Sequence, residues 1–234
     1  MRYEEIFEEH SPDMFNHIES NAMTLVDNKV VLYRGTNHSD PYKTTLMKTR
    51  FDRIPSDTPL MIHDIVDVWF YKKFGIKARS QSIFTTPKLT FALRYGNAVA
   101  ILPKGNVTFI YSNNVMDLFH LISRPLHDHL QDLNFDSINT KYDIELKPSM
   151  SIKDIYRSFK YSFSDDGNVP TEVYNVFKNV IFEFMDKMDY IASDTLSVDQ
   201  VKDVEVMVHC NEYYSVGRKS PESYKLEAKY GYLI

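Results

Sequence analysis

The sequence predicts an α+β fold, because helical apolar stripes and short extended apolar segments are mixed without regular alternation. Helical spacing of apolar residues is clearest at 61–74 and 171–188. Short apolar segments typical of buried strands lie at 29–33, 97–102 and 107–111. We expect one domain over 1–234, with a helical region at about 1–28 and the core at about 29–234.

Composition limits the class of protein. Hydrophobic residues make up 43% and charged residues 25% of the chain, as in ordinary soluble globular proteins. A net charge of -5 excludes a wholly basic nucleic-acid coat. The single cysteine, Cys210, excludes an internal disulfide and a cysteine-based zinc site. No apolar run approaches the roughly 18 residues that cross a bilayer, and the acidic N-terminus is unlike a secretory signal, so we expect a cytosolic protein.

The first half of the chain begins with an amphipathic pattern at 2–22, which predicts a helix. The strand at 29–33 ends at Arg34, Gly35 and Thr36, and the helix at 61–74 ends at Gly75. An extended stretch at 82–86 precedes a helix for which Thr86 is the expected N-cap and Pro87 a first-turn residue.

The second half of the chain has fewer clear sequence patterns that indicate helices or strands. We expect a helix from Met116 to Ile122 that is broken before Pro125, a loop at 162–170 and a helix at 171–188. The polar segment 193–202 follows. Two strands, 204–209 and 212–216, are expected to pair as a hairpin around Cys210 and Asn211.

Three short segments carry residues suited to chemistry. Arg34 ends an apolar strand and is followed by Gly35, a pair suited to binding an anion close to the backbone. Thr85 and Thr86 place two hydroxyls where a strand meets a helix. Asp203 and Glu205 would share one face of a strand, although each segment alone also fits a surface turn, a helix cap or a solvated acidic edge.

In this order and spacing, the three segments resemble the ADP-ribosyltransferase superfamily, in its Arg–Ser–Glu class of clostridial binary toxins and small phage-encoded transferases. The resemblance spans about 30–216 and implies a split β-sandwich with flanking helices. It implies an enzyme that transfers ADP-ribose from NAD, as substrate, to a macromolecule and needs no metal. A bacterial toxin or phage effector in the cytoplasm is the implied setting, and an antitoxin partner is compatible with it.

The resemblance also implies roles for individual residues. Arg34 would hold the NAD phosphates, the backbone of Gly35 would clamp the nicotinamide amide, and Glu205 would be the catalytic glutamate. Thr85 and Thr86 match the Ser-Thr-Ser motif, whose first place is taken by Phe84, so the hydroxyl role stays open between these threonines and Ser82. Further residues that would contact NAD are Thr36, Phe91 and Tyr95.

Asp203 stands where arginine-modifying members carry Glu and other members carry Gln. The family's commonest acceptor is a protein side chain, which we expect here. A base in RNA or DNA is the alternative, since residues 43–94 hold ten basic against four acidic residues. That basic block equally fits a solvated face. An inactive NAD- or partner-binding protein on the same fold is the second alternative. In the enzyme that the resemblance implies, the polar segment 193–202 would be the loop that recognises the target.

Overall fold

A computed structural model describes residues 30–53 except His38, 58–131, 135–142, 171–201 except Val198, and 203–230, together with positions 16, 145, 147, 150, 151 and 154. The helix predicted at 2–22, apart from Asn16, and the loop predicted at 162–170 lie outside the described residues.

The described residues form an α+β protein with two four-stranded antiparallel sheets, which confirms the predicted class. The chain divides into two compact units. The first comprises 1–51, 81–116 and 190–234, and the second comprises 52–80 and 117–189. Both sheets lie in the first unit. The expectation of a single domain stays a prediction, because a compact unit need not fold independently.

The strands in chain order are β1 Tyr33–Thr36, β2 Thr44–Lys48, β3 Ile83–Thr85, β4 Asn97–Lys104, β5 Thr108–Tyr111, β6 Ile191–Ser193, β7 Val206–His209 and β8 Glu212–Gly217. The helices are α1 Leu60–Phe74, α2 Ala78–Gln81, α3 Leu89–Ala92, α4 Leu118–Gln131, α5 Phe135–Tyr142, α6 Thr171–Asp186 and α7 Pro221–Tyr230. A 3-10 turn at Leu93–Tyr95 continues α3.

The first sheet has the strand order β1-β4-β8-β2, and the second has the order β3-β7-β5-β6. The predicted hairpin around Cys210 and Asn211 is therefore wrong: β7 and β8 belong to different sheets. Each of these two strands already has a neighbour on both edges, which leaves no edge for the other. The chain crosses from one sheet to the other between His209 and Glu212.

One buried apolar cluster contains residues of both sheets. Val99 and Ile101 contribute from the first sheet, and Ile83 and Val206 from the second, all at most 2% exposed. Strand β4 is buried from Ala98 to Pro103, because it is an inner strand of its sheet and both of its faces are covered. The core of the first unit thus lies where side chains of the two sheets meet.

In the second unit, α1 matches the predicted helix and ends where Gly75 adopts a left-handed conformation, with φ of 73°. The indole Nε1 of Trp69 donates a hydrogen bond to Asp186 at the end of α6, at 2.8 Å. Helix α4 differs from the prediction, because it continues through Pro125 to Gln131. Its buried residues, Leu118, Ile122 and Leu126, recur every four positions on both sides of the proline, so burial outweighs the lost backbone hydrogen bond.

Five elements have no counterpart in the sequence prediction: the short elements α2, α5 and β6, and also β2 and α7. Strand β2 is an edge strand whose side chains are mostly exposed, so it lacks the apolar alternation that marks a half-buried strand. Helix α7 begins at Pro221, directly after the buried Ser220, whose hydroxyl accepts a hydrogen bond from the Ser223 N–H at 3.2 Å. Ser220 therefore has the position and the contact of an N-cap.

Candidate functional site

A backbone bridge joins the two sheets at Tyr33 and Thr86. The Tyr33 N–H donates to the Thr86 carbonyl at 2.8 Å, and the Thr86 N–H donates to the Tyr33 carbonyl at 2.9 Å. The residue after Tyr33 is Arg34, and the residue before Thr86 is Thr85. The bridge therefore holds the arginine segment and the threonine segment side by side.

The threonine segment is paired on its other side with β7. Thr85 lies opposite Val206, and its buried hydroxyl donates a hydrogen bond to the Val206 carbonyl at 2.7 Å. Glu205 directly precedes Val206. The three segments named from the sequence, at 33–36, 84–86 and 203–206, thus lie on adjacent strands or strand ends of one unit.

Arg34 is half-buried and shares a side of β1 with the fully buried Leu32, because side chains alternate along a strand. It lies opposite Val99, which is also buried. The guanidinium lies within hydrogen-bonding reach of the Tyr213 hydroxyl. Within the described part of the chain, no carboxylate lies within 4 Å of it. A positive charge on the core side of a sheet without a partner carboxylate suits the binding of an anion.

Burial raises the pKa of the Tyr213 hydroxyl, and the nearby positive charge of Arg34 partly opposes this increase. The hydroxyl consequently stays protonated in the physiological range, so it can accept a hydrogen bond from the guanidinium without neutralising it. Sequence reasoning missed Tyr213. It lies in a tyrosine-rich strand, and no local pattern distinguishes it from the adjacent Tyr214.

Gly35 is required by packing. A Cβ atom at this position would lie 1.8 Å from the Ala92 carbonyl oxygen, because α3 packs directly on β1. The Ile101 N–H donates to the Leu32 carbonyl at 2.8 Å, and hydrogen-bonded pairs alternate along an antiparallel ladder. The N–H and C=O of Gly35 therefore point away from β4, toward the edge of β1 that is bridged to Thr86 at Tyr33. This geometry suits the expected nicotinamide clamp, which stays a prediction.

The N-cap prediction for Thr86 is wrong. Helix α3 begins at Leu89 with Lys88 at the cap position, and no side chain caps it. The Thr86 hydroxyl accepts a hydrogen bond from the Lys88 N–H at 3.2 Å, because Pro87 turns the chain between them. Thr85 donates its hydroxyl hydrogen to a backbone carbonyl, which leaves Thr86 as the more accessible hydroxyl of the pair.

The two other residues around the threonine pair differ in their surroundings. Phe84 is half-buried and lies opposite Met207 on β7, so an aromatic ring fills the first place of the motif. Ser82 is buried, and its hydroxyl has no hydrogen-bond partner among the described residues. Of the three hydroxyls left open by the sequence, Ser82 is thus the one without a bond.

Asp203 and Glu205 do not share a strand face, contrary to the expectation. Strand β7 begins at Val206, and Asp203 has a left-handed backbone with φ of 54°. The exposed Asp203 carboxylate pairs with the Lys88 ammonium at 2.9 Å. Glu205 is half-buried, and its N–H donates to the Val115 carbonyl at 3.4 Å. Because Glu205 precedes the strand, the ladder does not fix the direction of its side chain.

The remaining predicted NAD contacts lie around α3. The Phe91 ring is flanked by Lys88, with Nζ 5.1 Å from the ring centroid, and by Arg94, with Cζ 4.5 Å from it. Tyr95 is 66% exposed, and Thr36 is half-buried at the end of β1. Helix α3 packs on the side of β1 opposite to Arg34, so Phe91 is not on the face that carries the guanidinium.

Three further features of the described residues concern a thiol, metal ligands and membrane-spanning helices. Burial raises the pKa of the Cys210 thiol to about 11, which makes it a poor nucleophile at neutral pH. Within the described ranges, three or more His, Cys, Asp or Glu side chains nowhere come together as a metal site would need. The helices of the described segments are too short or too polar to cross a bilayer.

Comparison with protein-family models, curated proteins and solved structures found no match to this chain. The resemblance to ADP-ribosyltransferases therefore depends on the three segments and on their placement in the fold.

Proposed function

We propose that the protein is a mono-ADP-ribosyltransferase of the Arg–Ser–Glu class, which moves ADP-ribose from NAD to a protein side chain and releases nicotinamide. The observation that supports it is the pairing of β1, β3 and the start of β7, through the Tyr33–Thr86 bridge and the Thr85–Val206 pair. Segments that are far apart in the sequence lie beside one another there. Two antiparallel sheets with a shared core are compatible with the split β-sandwich of the class.

In this reaction the bond between nicotinamide and C1′ of the ribose breaks, and its electron pair leaves with the nicotinamide ring. Positive charge develops on the ribose, as it does in glycoside cleavage. The Glu205 carboxylate beside the ribose 2′-hydroxyl would stabilise that charge in the transition state. The acceptor's lone pair then forms the new bond to C1′, and the acceptor proton passes to solvent or to the Asp203 carboxylate.

Arg34 has the properties that binding of the NAD pyrophosphate requires. Its guanidinium is a fixed fork of donors, it lies on the core side of β1, and no carboxylate of the described residues neutralises it. A pyrophosphate held there would fix the dinucleotide in one orientation relative to Glu205, and orientation is a large part of the rate that an enzyme gains. The Gly35 backbone edge would add a donor and an acceptor for the nicotinamide amide.

A nucleic-acid acceptor is the second candidate, because of one surface feature. Lys88 and Arg94 are exposed and flank the Phe91 ring, and Tyr95 beside them is 66% exposed. Cationic and aromatic side chains in this arrangement suit phosphates and unstacked bases. An inactive binding protein is the third, since Phe84 replaces a hydroxyl and Asp203 is engaged with Lys88.

The test incubates the protein with NAD labelled in the adenylate and with a cell extract, and measures free nicotinamide together with label in macromolecules. We expect both to appear, and we expect the label to be lost on protease digestion of the product and kept on nuclease digestion. The reverse pattern would establish the nucleic-acid acceptor. No nicotinamide release with any extract would favour the inactive binding protein.

The Glu205→Gln variant assigns the activity to this site. It should lower nicotinamide release about 10²- to 10³-fold, because it removes one transition-state charge contact. The matched control is Glu212→Gln. In the wild-type protein the Glu212 carboxylate, on β8, pairs with Lys104 at 3.2 Å and has no role in the proposed chemistry. Equal activities of the two variants would contradict the assignment.

A further inference from the structure

Tyr213 and Arg34 occupy the same side of the first sheet. Along β8, Tyr213, Ser215 and Gly217 share one side, and Gly217 lies opposite Val99. Arg34 lies opposite the same Val99 from the β1 side. Directly opposed residues of an antiparallel ladder project to the same side, so the guanidinium and the phenol project to a common face across the inner strand β4.

The surroundings of Tyr213 make its hydroxyl a directed contact. Its side chain is 6% exposed and is part of the apolar cluster that both sheets share. Such a ring has very little rotational freedom, so its hydroxyl has a defined position. The Arg34 guanidinium, which lies within hydrogen-bonding reach, has no carboxylate partner in the described segments. The neutral phenol oxygen can accept one guanidinium N–H and leave the full positive charge for a ligand.

We propose that Tyr213 is a positioning residue, which holds the Arg34 guanidinium in the orientation that binds the pyrophosphate of NAD. This inference rests on the proposed function, because it takes NAD as the ligand of Arg34. A carboxylate in place of the phenol would also orient the guanidinium, but it would cancel the charge that attracts the phosphates. A buried tyrosine orients the arginine without that loss.

The test uses Tyr213→Phe, with Tyr214→Phe as the matched control. Tyr214 is the adjacent residue of β8, is 4% exposed and projects to the opposite side of the strand. The two variants therefore lose the same atom from equally buried rings. Kd is measured by titration calorimetry for NAD and for ADP, which carries the same pyrophosphate, and nicotinamide release is measured as kcat and KM.

We expect Tyr213→Phe to raise Kd for both ligands and KM for NAD about 5- to 10-fold, with kcat at saturating NAD within about threefold of wild type. Tyr214→Phe should match wild type. In an Arg34→Met background, Tyr213→Phe should add no further loss, because the group that it positions is gone. If Tyr213 had a purely structural role, Tyr213→Phe would lower activity in the Arg34→Met background too. Circular dichroism checks that each variant folds.

Equal Kd values for the two tyrosine variants, or an undiminished effect of Tyr213→Phe in the Arg34→Met background, would overturn the inference. Wild-type protein that binds NAD and ADP but releases no nicotinamide would overturn the proposed reaction, and the Kd shift would still decide the role of Tyr213. Wild-type protein that binds neither ligand would overturn both.

Discussion

Thr85 of β3 and Val206 of β7 lie opposite each other on adjacent strands, and the Thr85 hydroxyl donates a hydrogen bond to the Val206 carbonyl at 2.7 Å. This bond joins Val206, the residue after Glu205, to the last residue of β3. The next residue along that segment, Thr86, is bridged to Tyr33. The position of the proposed catalytic carboxylate therefore depends on a side-chain bond as well as on the backbone ladder.

Replacing Thr85 by Val should lower the free energy of unfolding by about 1–2 kcal/mol, because a buried hydrogen bond is lost while the shape is kept. Thr86→Val is the comparison. Among the described residues, its half-buried hydroxyl accepts a hydrogen bond from the Lys88 N–H alone, so the change should cost less than about 1 kcal/mol. Urea unfolding followed by far-ultraviolet circular dichroism gives both values. A larger loss for Thr86→Val would contradict the assignment of these contacts.

Buried His63 predicts a pH dependence of stability in the second unit. Its Nε2 lies 2.9 Å from the Ser80 hydroxyl oxygen and 3.4 Å from a carboxylate oxygen of Asp67. Burial is the largest influence and lowers the pKa of His63. The Asp67 carboxylate and a hydrogen bond with the Arg53 backbone oppose the decrease, and the charges of Arg79 and Arg53 add to it. The unfolded chain takes up the proton at a pH near 6.5, before the folded chain does. Stability should therefore fall as the pH decreases below about 6.5.

The measurement is urea unfolding monitored by the fluorescence of Trp69, the single tryptophan, which lies in the same unit. Between pH 7.5 and 5.5, wild-type protein should lose more stability than His63→Gln, with the difference approaching about 1.4 kcal/mol per pH unit at most. The exposed His120 provides the control variant, His120→Gln. A His63→Gln slope equal to that of wild type would refute the prediction.

Asp203 should affect transfer more than cleavage. Its carboxylate is exposed and paired with Lys88, so the pair contributes at most about 1 kcal/mol to stability. If the carboxylate assists the incoming acceptor, Asp203→Asn should lower label transfer about 10²-fold and leave nicotinamide release within about threefold. Both are measured in one reaction with labelled NAD. Equal losses in transfer and release would show that Asp203 acts on the NAD bond instead.

Gly35→Ala should lower the stability of the first unit by about 3 kcal/mol, because the new methyl group would overlap the Ala92 carbonyl oxygen and displace α3. Gly105→Ala serves for comparison: its φ of 77° is strained for alanine, but nothing lies within 4 Å, so about 1 kcal/mol is expected. Thermal unfolding by circular dichroism ranks the two. If Gly105→Ala lowered the stability more than Gly35→Ala, α3 would have to shift easily to make room for the added methyl group, and the prediction would be wrong.

Local signals predicted the longer apolar helices and the buried strands, but they missed short or exposed elements such as β2 and β6 and did not predict which strands pair. The apolar stripe and Gly75 define α1, because helix pattern and stop signal are both local. The alternation around Val206 and Tyr213 indicates two strands, yet their partners are distant in the sequence and follow only from how the sheets close. Short spacing therefore suggested a hairpin where the chain changes sheets.

The candidate site shows the same division. Arg34, Thr86 and Glu205 could be named from short motifs, since each motif is contiguous. The left-handed backbone of Asp203 and its pairing with Lys88 could not, because they depend on a turn that brings residues 115 positions apart together. The contact of Tyr213 with Arg34 is likewise a product of sheet order.

The passage of the chain between the sheets at Cys210 and Asn211 has a consequence for evolution. Glu205 and Tyr213 are eight positions apart, on the two sides of a connection that is too short to absorb an inserted residue without turning one strand over. Homologous proteins should tolerate length changes in many surface loops but keep the eight-position interval between Glu205 and Tyr213 constant. An acid-x-Glu followed by tyrosine at this fixed distance is accordingly a usable signature with which to search genomes for its kin.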